Sequence, residues 1–295
     1  MAGACLLASV SAWAQPEERW RLRVGGSELL GAKVTQILQD RVSESGGELR
    51  TRFVGSRLAT DALEAGILEM AVLIEEPAMI QRAEENDWAV VPLGHVVAFV
   101  VAPHDLDLAQ LSYPDLNRIF GAKSAVASTR WGEFGASSSW ERVPIAMHVT
   151  TPAQGLSYEI FRHRVLSSPE FKSTVREHHT LDETMAALRA EDGGIGVVPW
   201  ISEDETEFKA LLVTPSAQEV AFGPTPENVA AGDYPLAIRL NLVFERARAP
   251  ELLSWLKYWY GDEITDALIV GGIMPLPRTA RNQHIFELEV IHEQE

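Results

Sequence analysis

The feature that most constrains this 295-residue chain is a hydrophobic period that switches back and forth along its opening stretch. Trp20–Val24 alternates apolar and charged residues, as a half-buried strand does. Leu30, Val34, Ile37, Leu38 and Val42 then fall at helical spacing, and Gly46-Gly47 ends that helix. Leu49–Val54 reads as a second strand, Gly55-Ser56 leads into a short helix with Leu58, Ala62 and Leu63 on one face, and Met70–Ile74 is an apolar run of strand length. Strands that alternate with helices are joined by crossovers, so the pattern predicts βαβ units and mostly parallel sheets.

The alternation continues. Val96–Val101 reads as an apolar strand closed by Pro103, and Ser124–Ser139 as a surface loop rich in Ser, Ala and Gly. Val143–Val149 is a strand; Leu156, Ile160, Phe161 and Val165 give a helical stripe, and Leu181, Met185 and Leu188 another. Gly193–Val198 is a tight turn into a buried strand, residues 202–233 are polar and irregular, and Pro235–Phe244 is a strand. Leu252, Leu253, Leu256 and Trp259 form the last clear amphipathic stripe. Trp255, Tyr258, Trp259 and Tyr260 cluster there, as core, lobe contact or partner surface. This order predicts a two-lobed α/β protein whose chain crosses between lobes near Val96–Ala102 and near Pro235–Phe244. The first lobe is then residues 20–97 plus 236–295, and the second residues 98–235.

A net charge of −17 argues against nucleic acid or an anionic membrane as main partner, but it leaves room for a small anion held by local donors. Residues 1–14 read as a secretory signal, with an apolar run from Leu6 and an A-x-A site at Ala12-Trp13-Ala14, although no Lys or Arg precedes the run. Removal of that segment takes away Cys5, the chain's single cysteine, and leaves no disulfide or thiol chemistry. H-E-x-x-H, G-x-S-x-G, P-loop and G-x-G-x-x-G patterns are all missing. His178-His179 is an adjacent pair whose members cannot share a helix face, so no joint metal site is expected. The chain is therefore expected to be non-enzymatic, with no cofactor and no metal.

Residues 111–131, LSYPDLNRIFGAKSAVASTRW, carry a further signal: a proline-led helix, Ile119-Phe120-Gly121, then Arg130-Trp131. This segment resembles the pattern that opens the second lobe of PstS-like phosphate-binding proteins, the extracytoplasmic receptors of ABC importers. Six other stretches match the same family in the same order. They are LRVGGSELL, GSRLATDALEAGILEMA (with Glu69 for the usual Asp), IFRHRVLSSPEFK, DGGIGVVPW, YPLAIRLNLVF (with Arg239 one place later than usual) and IVGGIMPLP. The resemblance implies a type II periplasmic-binding fold, two hinge crossings, a monomer in the periplasm, an ABC permease as partner, and phosphate or another small anion between the lobes.

It also implies where the ligand would sit, residue by residue. Ser27 and Glu28 follow the first strand; the Ser27 hydroxyl can donate to a ligand and also cap the helix that begins near Leu29. Ser56 and Arg57 open the next helix, where Arg57 either forks onto an oxyanion or pairs with a carboxylate. Glu75 stands where the family has Asp or Arg beside a serine; a carboxylate accepts a proton from hydrogen phosphate but repels a fully ionised anion. The family's Arg-x-x-x-Ser-Gly-Thr is altered: Thr151 replaces the arginine and Gly155-Leu156-Ser157 the Ser-Gly-Thr, leaving Gln154 and Ser157 as donors. A hydrogen bond to a charged partner contributes about 1.5–3 kcal/mol, so this loss weakens phosphate binding roughly tenfold to over a hundredfold. The alternative is an envelope sensor or interaction protein that keeps the fold and has altered or lost phosphate binding.

Overall fold

The first lobe starts with β1 (Arg21–Gly26), a 3-10 turn at Glu28–Leu30, α1 (Gly31–Ser45), β2 (Glu48–Phe53), α2 (Ser56–Glu64), β3 (Met70–Ile74), α3 (Pro77–Glu85) and β4 (Trp88–Val97). The second lobe holds β5 (Phe99–Pro103), β6 (Gln110–Ser112), α4 (Tyr113–Phe120), β7 (Ala146–Thr150), α5 (Ser157–Val165) and β8 (Arg176–His178). It continues with α6 (Leu181–Arg189), β9 (Gly194–Val198), β10 (Phe208–Ala210), β11 (Leu212–Thr214) and α7 (Pro226–Ala231). The chain returns to the first lobe through β12 (Ala237–Glu245), α8 (Ala249–Trp259), α9 (Asp262–Val270), β13 (Ile273–Pro275) and α10 (Arg278–Glu293). This computed structural model describes residues 21–45, 47–124, 129–202 and 204–293; the expected leader 1–14, Cys5, Trp20 and part of the 124–139 loop lie outside them.

The first sheet runs β13-β4-β12-β3-β1-β2 and the second β10-β5-β9-β7-β8, with β11 and β6 forming a separate pair. Each sheet has a parallel core of three strands, β3-β1-β2 and β9-β7-β8. Antiparallel strands complete both. The carboxyl ends of β1, β3, β7 and β9 lead into residues that line the space between the lobes, where ligands of open α/β sheets bind.

Both faces of the first sheet are covered, which is why β3 is apolar throughout. Met70 and Val72 join Leu22, Val24, Leu242 and Trp259 in the core beneath α1, α8 and α9. Ala71 and Leu73 face the other way, against Ala59, Leu63 and Met79 of α2 and α3. Full burial of such a side chain stabilises by about 1.5–3 kcal/mol. The aromatic cluster of α8 is core: Trp255, Trp259 and Tyr260 are all buried. It is not the last stripe, because α9 and α10 follow; their apolar faces are narrow, as only Ile264, Ala267 and Leu268 of α9 are buried.

The Leu111–Trp131 segment acts through packing. Leu111, Leu116, Ile119, Phe120 and Trp131 lie in the second-lobe core. Trp131 Nε1 donates to the Gly193 carbonyl at 3.2 Å. Ser112 caps α4 in a capping box with Asp115, which fixes where the helix begins.

The run expected as one strand, Val96–Val101, is the end of one strand and the start of another. β4 stops at Val97 in the first sheet, and β5 starts at Phe99 in the second. The apolar run persists across the crossing because Ala98 is also buried. Ala98 N donates to Leu236 O at 2.8 Å, and Tyr234 Oη donates to Ala98 O at 2.8 Å. The outgoing and returning crossings are thus held side by side.

Candidate functional site

Two glycines shape the first-lobe edge. Gly26 has φ +145°, and a Cβ there would meet Val72 O at 2.1 Å, so only glycine lets β1 turn this close over β3. Ser27 follows and is buried; its N–H donates to Val72 O at 2.8 Å, and its Oγ accepts from Leu29 N at 3.3 Å. Its cap is therefore on the 3-10 turn rather than directly on α1. Gly55, at φ +116°, caps α2 without a side chain and donates to Gly26 O at 3.0 Å. Glu28 is exposed, with Oε2 3.6 Å from where a Cβ on Gly55 would stand. A carboxylate thus lies at the positive end of α2, a place that favours an anion.

Ser56, the first residue of α2, turns its Oγ towards the sheet and accepts from Ile74 N at 3.2 Å. Arg57 is exposed and forms no ion pair among the described residues. Glu75 follows β3 and is partnered across it: Oε2 accepts from Arg239 Nη1 at 3.3 Å and from Asn241 Nδ2 at 3.2 Å. The inverted charge read at this position is therefore offset by a guanidinium from β12.

On the second-lobe edge, Thr151 N donates to His178 O at 2.9 Å, while Thr151 Oγ1 is buried with no hydrogen-bond partner. Gln154 lies in the 3-10 turn Pro152–Gln154; its side chain is outside the described part of the structure. Gly155, at φ +120°, leads to α5, whose first residue Ser157 is buried and whose N-terminus has no side-chain cap. His178 bonds to His148 (Nε2 to Nδ1, 3.0 Å) rather than acting with His179, whose N–H donates to Glu183 at 2.9 Å. Among the described residues, no group of three or more His, Cys, Asp or Glu stands where it could hold a metal ion.

These edges enclose two cavities to which both lobes contribute. The wide one, about 670 Å³, is lined by Glu28, Leu29 and residues 269–272 from one lobe and by Pro152, Leu156, Leu181 and Trp200, among others, from the other. Among the described residues that line it, Glu28 is the only one with a charged side chain. The narrow one, about 240 Å³, lies beside the crossings and contains Glu75, His95 and Arg239 from the first lobe and Arg164 from the second. His95 is buried, and its pKa is lowered to about 4 by desolvation first and by the nearby Arg239 second. Of the eight predicted residues, Glu28 lines the wide cavity and Glu75 the narrow one.

Arg164, Arg239, His95 and Trp200 escaped sequence reasoning as site residues. A signal existed for one of them: Arg239 interrupts the apolar run Ala237–Phe244. Arg164 sits in a run of basic residues at a helix end, which reads as ordinary C-terminal charge compensation.

No protein-family profile and no curated protein matches this chain. Solved structures do. A possible phosphate binding protein from Planctomyces limnophilus superposes with a TM-score of 0.69 at 16% identity, over 92% of this chain and 99% of that one. PstS from Borrelia burgdorferi gives 0.66 at 12%, over 87% and 99%. An ABC-type phosphate transport receptor from Vibrio cholerae gives 0.59 at 14%, over 87% and 100%. The chain has the two-lobed periplasmic-binding fold. At these identities the likeness concerns architecture: three-strand parallel cores, two crossings and a space at the strand ends.

Proposed function

We propose that this chain is an extracytoplasmic solute receptor of the ABC-importer type, capturing a small anion between its lobes by hinge closure. The observation that carries this reading is the interlobe space itself, formed at the carboxyl ends of parallel strands from both lobes. The phosphate-binding descriptions of the structural neighbours support a tetrahedral anion as ligand. The hinged bodies are residues 20–97 with 236–295 and residues 98–235. Residues 1–14 serve as the export signal, the mature protein is a periplasmic monomer, and a membrane permease is the partner of the closed form. Ligand capture uses Ser27, Glu28, Ser56, Arg57, Glu75, Thr151, Gln154 and Ser157 as lobe-edge positions, without chemistry on the solute. Thermal shift with phosphate, sulfate, molybdate and small organic anions, together with small-angle scattering for closure, tests the reading. Absence of any shift and of any compaction across the panel would sink it.

A second reading is favoured by the wide cavity: the one charged side chain among its described lining residues is a carboxylate, and Thr151 stands in place of an arginine. On that reading the fold persists as an envelope sensor or interaction module with altered or lost phosphate binding. Compaction with an organic solute but not with phosphate would support it.

A further inference from the structure

We propose that the narrow crevice beside the hinge is an oxyanion site shared by the two lobes, with Arg164 and Arg239 as its cationic walls. This rests on the solute-receptor reading and names the place where the anion's charge is met. The two arginines come from opposite bodies of the hinge. Arg164 is in the last turn of α5, and Arg239 is near the start of β12. Both line the same 240 Å³ space, which has room for a phosphate- or sulfate-sized anion and not for a large organic solute.

Their donors are mostly unused. A guanidinium carries five N–H groups. Arg239 gives one to Glu75 at 3.3 Å, and Arg164 gives one to the Pro235 carbonyl. Neither makes another side-chain hydrogen bond among the described residues. The charges facing the crevice are two guanidiniums and the Glu75 carboxylate, with His95 neutral at physiological pH. One positive charge is left over before a ligand enters, and an oxyanion would complete the balance while taking bidentate N–H···O contacts. The overall charge of −17 opposes approach from a distance, but at physiological salt it is screened beyond about 8 Å, so local donors decide occupancy.

The surroundings turn occupancy into closure. Pro235 O also accepts from Tyr113 Oη at 3.0 Å, and Tyr234 Oη is bonded to Ala98 O, so the returning crossing is fixed to the second lobe up to Pro235. Arg239 lies just past that point, on the first-lobe sheet. Relative motion of the two arginines is therefore taken up at the paired crossings, around Ala98 and Leu236, and an anion touching both holds the lobes together. This arrangement also replaces the cation missing at Thr151 by two cations elsewhere in the same interlobe space.

Calorimetry on the mature chain with inorganic phosphate, and separately with sulfate, tests the assignment. Arg164→Gln and Arg239→Gln are each expected to weaken binding at least about tenfold, and the double variant to abolish it. Arg239→Lys, which keeps the charge and loses the fork, should fall in between. Arg50→Gln, which removes an exposed cation of β2 that lines neither cavity, should stay within about threefold of wild type. Arg164 is exposed and makes one hydrogen bond, so Arg164→Gln remains folded even if Arg239→Gln, which strips Glu75 of its partner, does not. Phosphate or sulfate binding that survives Arg164→Gln unchanged overturns the inference and leaves the receptor reading standing. No binding of either anion to wild type also overturns it, and the receptor reading then falls only if no solute compacts the protein.

Discussion

The wide half of the interlobe space lies past the ends of β1, β7 and β9 and the narrow half past the end of β3, and the two differ in kind. The wide half has about 670 Å³, Trp200, Leu181 and Leu156 on its walls, and Glu28 as the only charge among its described lining residues. The narrow half has about 240 Å³, two arginines, a carboxylate and a buried histidine. The difference comes from what fills in around the parallel core. Antiparallel β12 and the end of α5 bring charge to the hinge side, whereas helix starts and glycine turns bring backbone groups and apolar surface to the other.

Acid should expose the difference most strongly. His95 belongs to the narrow half and is held neutral by burial, with a pKa of about 4. An unfolded histidine titrates near 6.5, so between those values the unfolded chain takes up a proton that the folded chain refuses. Stability is therefore complete above about pH 6.5 and falls by about 3 kcal/mol as pH drops to 4. His148, buried in the second lobe and facing His178, Arg176 and Glu191, is likewise lowered to about 4 and adds a comparable loss. Melting curves from pH 8 to 4 should become shallower in His95→Leu and in His148→Leu; slopes equal to wild type would contradict this.

The next largest effect is at Thr151. Thr151→Arg restores a cation beside the wide half and should tighten phosphate binding by about tenfold to a hundredfold in calorimetry. Unchanged affinity would mean that more than a missing charge separates the two halves. Glu28→Gln removes the carboxylate at the start of α2; a charge at a helix end is worth about 0.3–1 kcal/mol, so anion affinity should rise about two- to fivefold. Weaker binding in that variant would instead make Glu28 a ligand contact. Trp200→Ala is the smallest for the ligand: phosphate affinity should hold within about twofold. The lost edge contact with Phe99, 5.9 Å between ring centroids, should lower stability by about 0.5–1.5 kcal/mol in denaturant melts.

Much of the fold was legible because period and burial are locally coupled. The Met70–Ile74 run read as a strand because both its faces are covered, and Leu111–Trp131 stood out because nearly every large apolar side chain in it packs. The crossing at Ala98 was not legible: it is as buried as the strands it joins, so no polar break marks the change of sheet. At the lobe edges, the glycine turns marked where Ser27 and Ser56 lead into helical turns, yet neither they nor Ser157 line either cavity. The reach of each side chain was not readable, and the Ser56 hydroxyl in fact turns back to Ile74 N.

The sequence alone determined an alternating α/β chain with two crossings and a second-lobe edge where Thr151 stands in place of the arginine of the pattern it resembles, because backbone period, turn residues and motif spacing are local properties. Only the tertiary structure decided where positive charge meets the interlobe space. Arg164 and Arg239 sit far apart in the chain, one at a helix end and one on a returning antiparallel strand. Their convergence depends on how the outgoing and returning crossings are paired at Ala98 and Leu236, and no spacing within the sequence encodes that geometry.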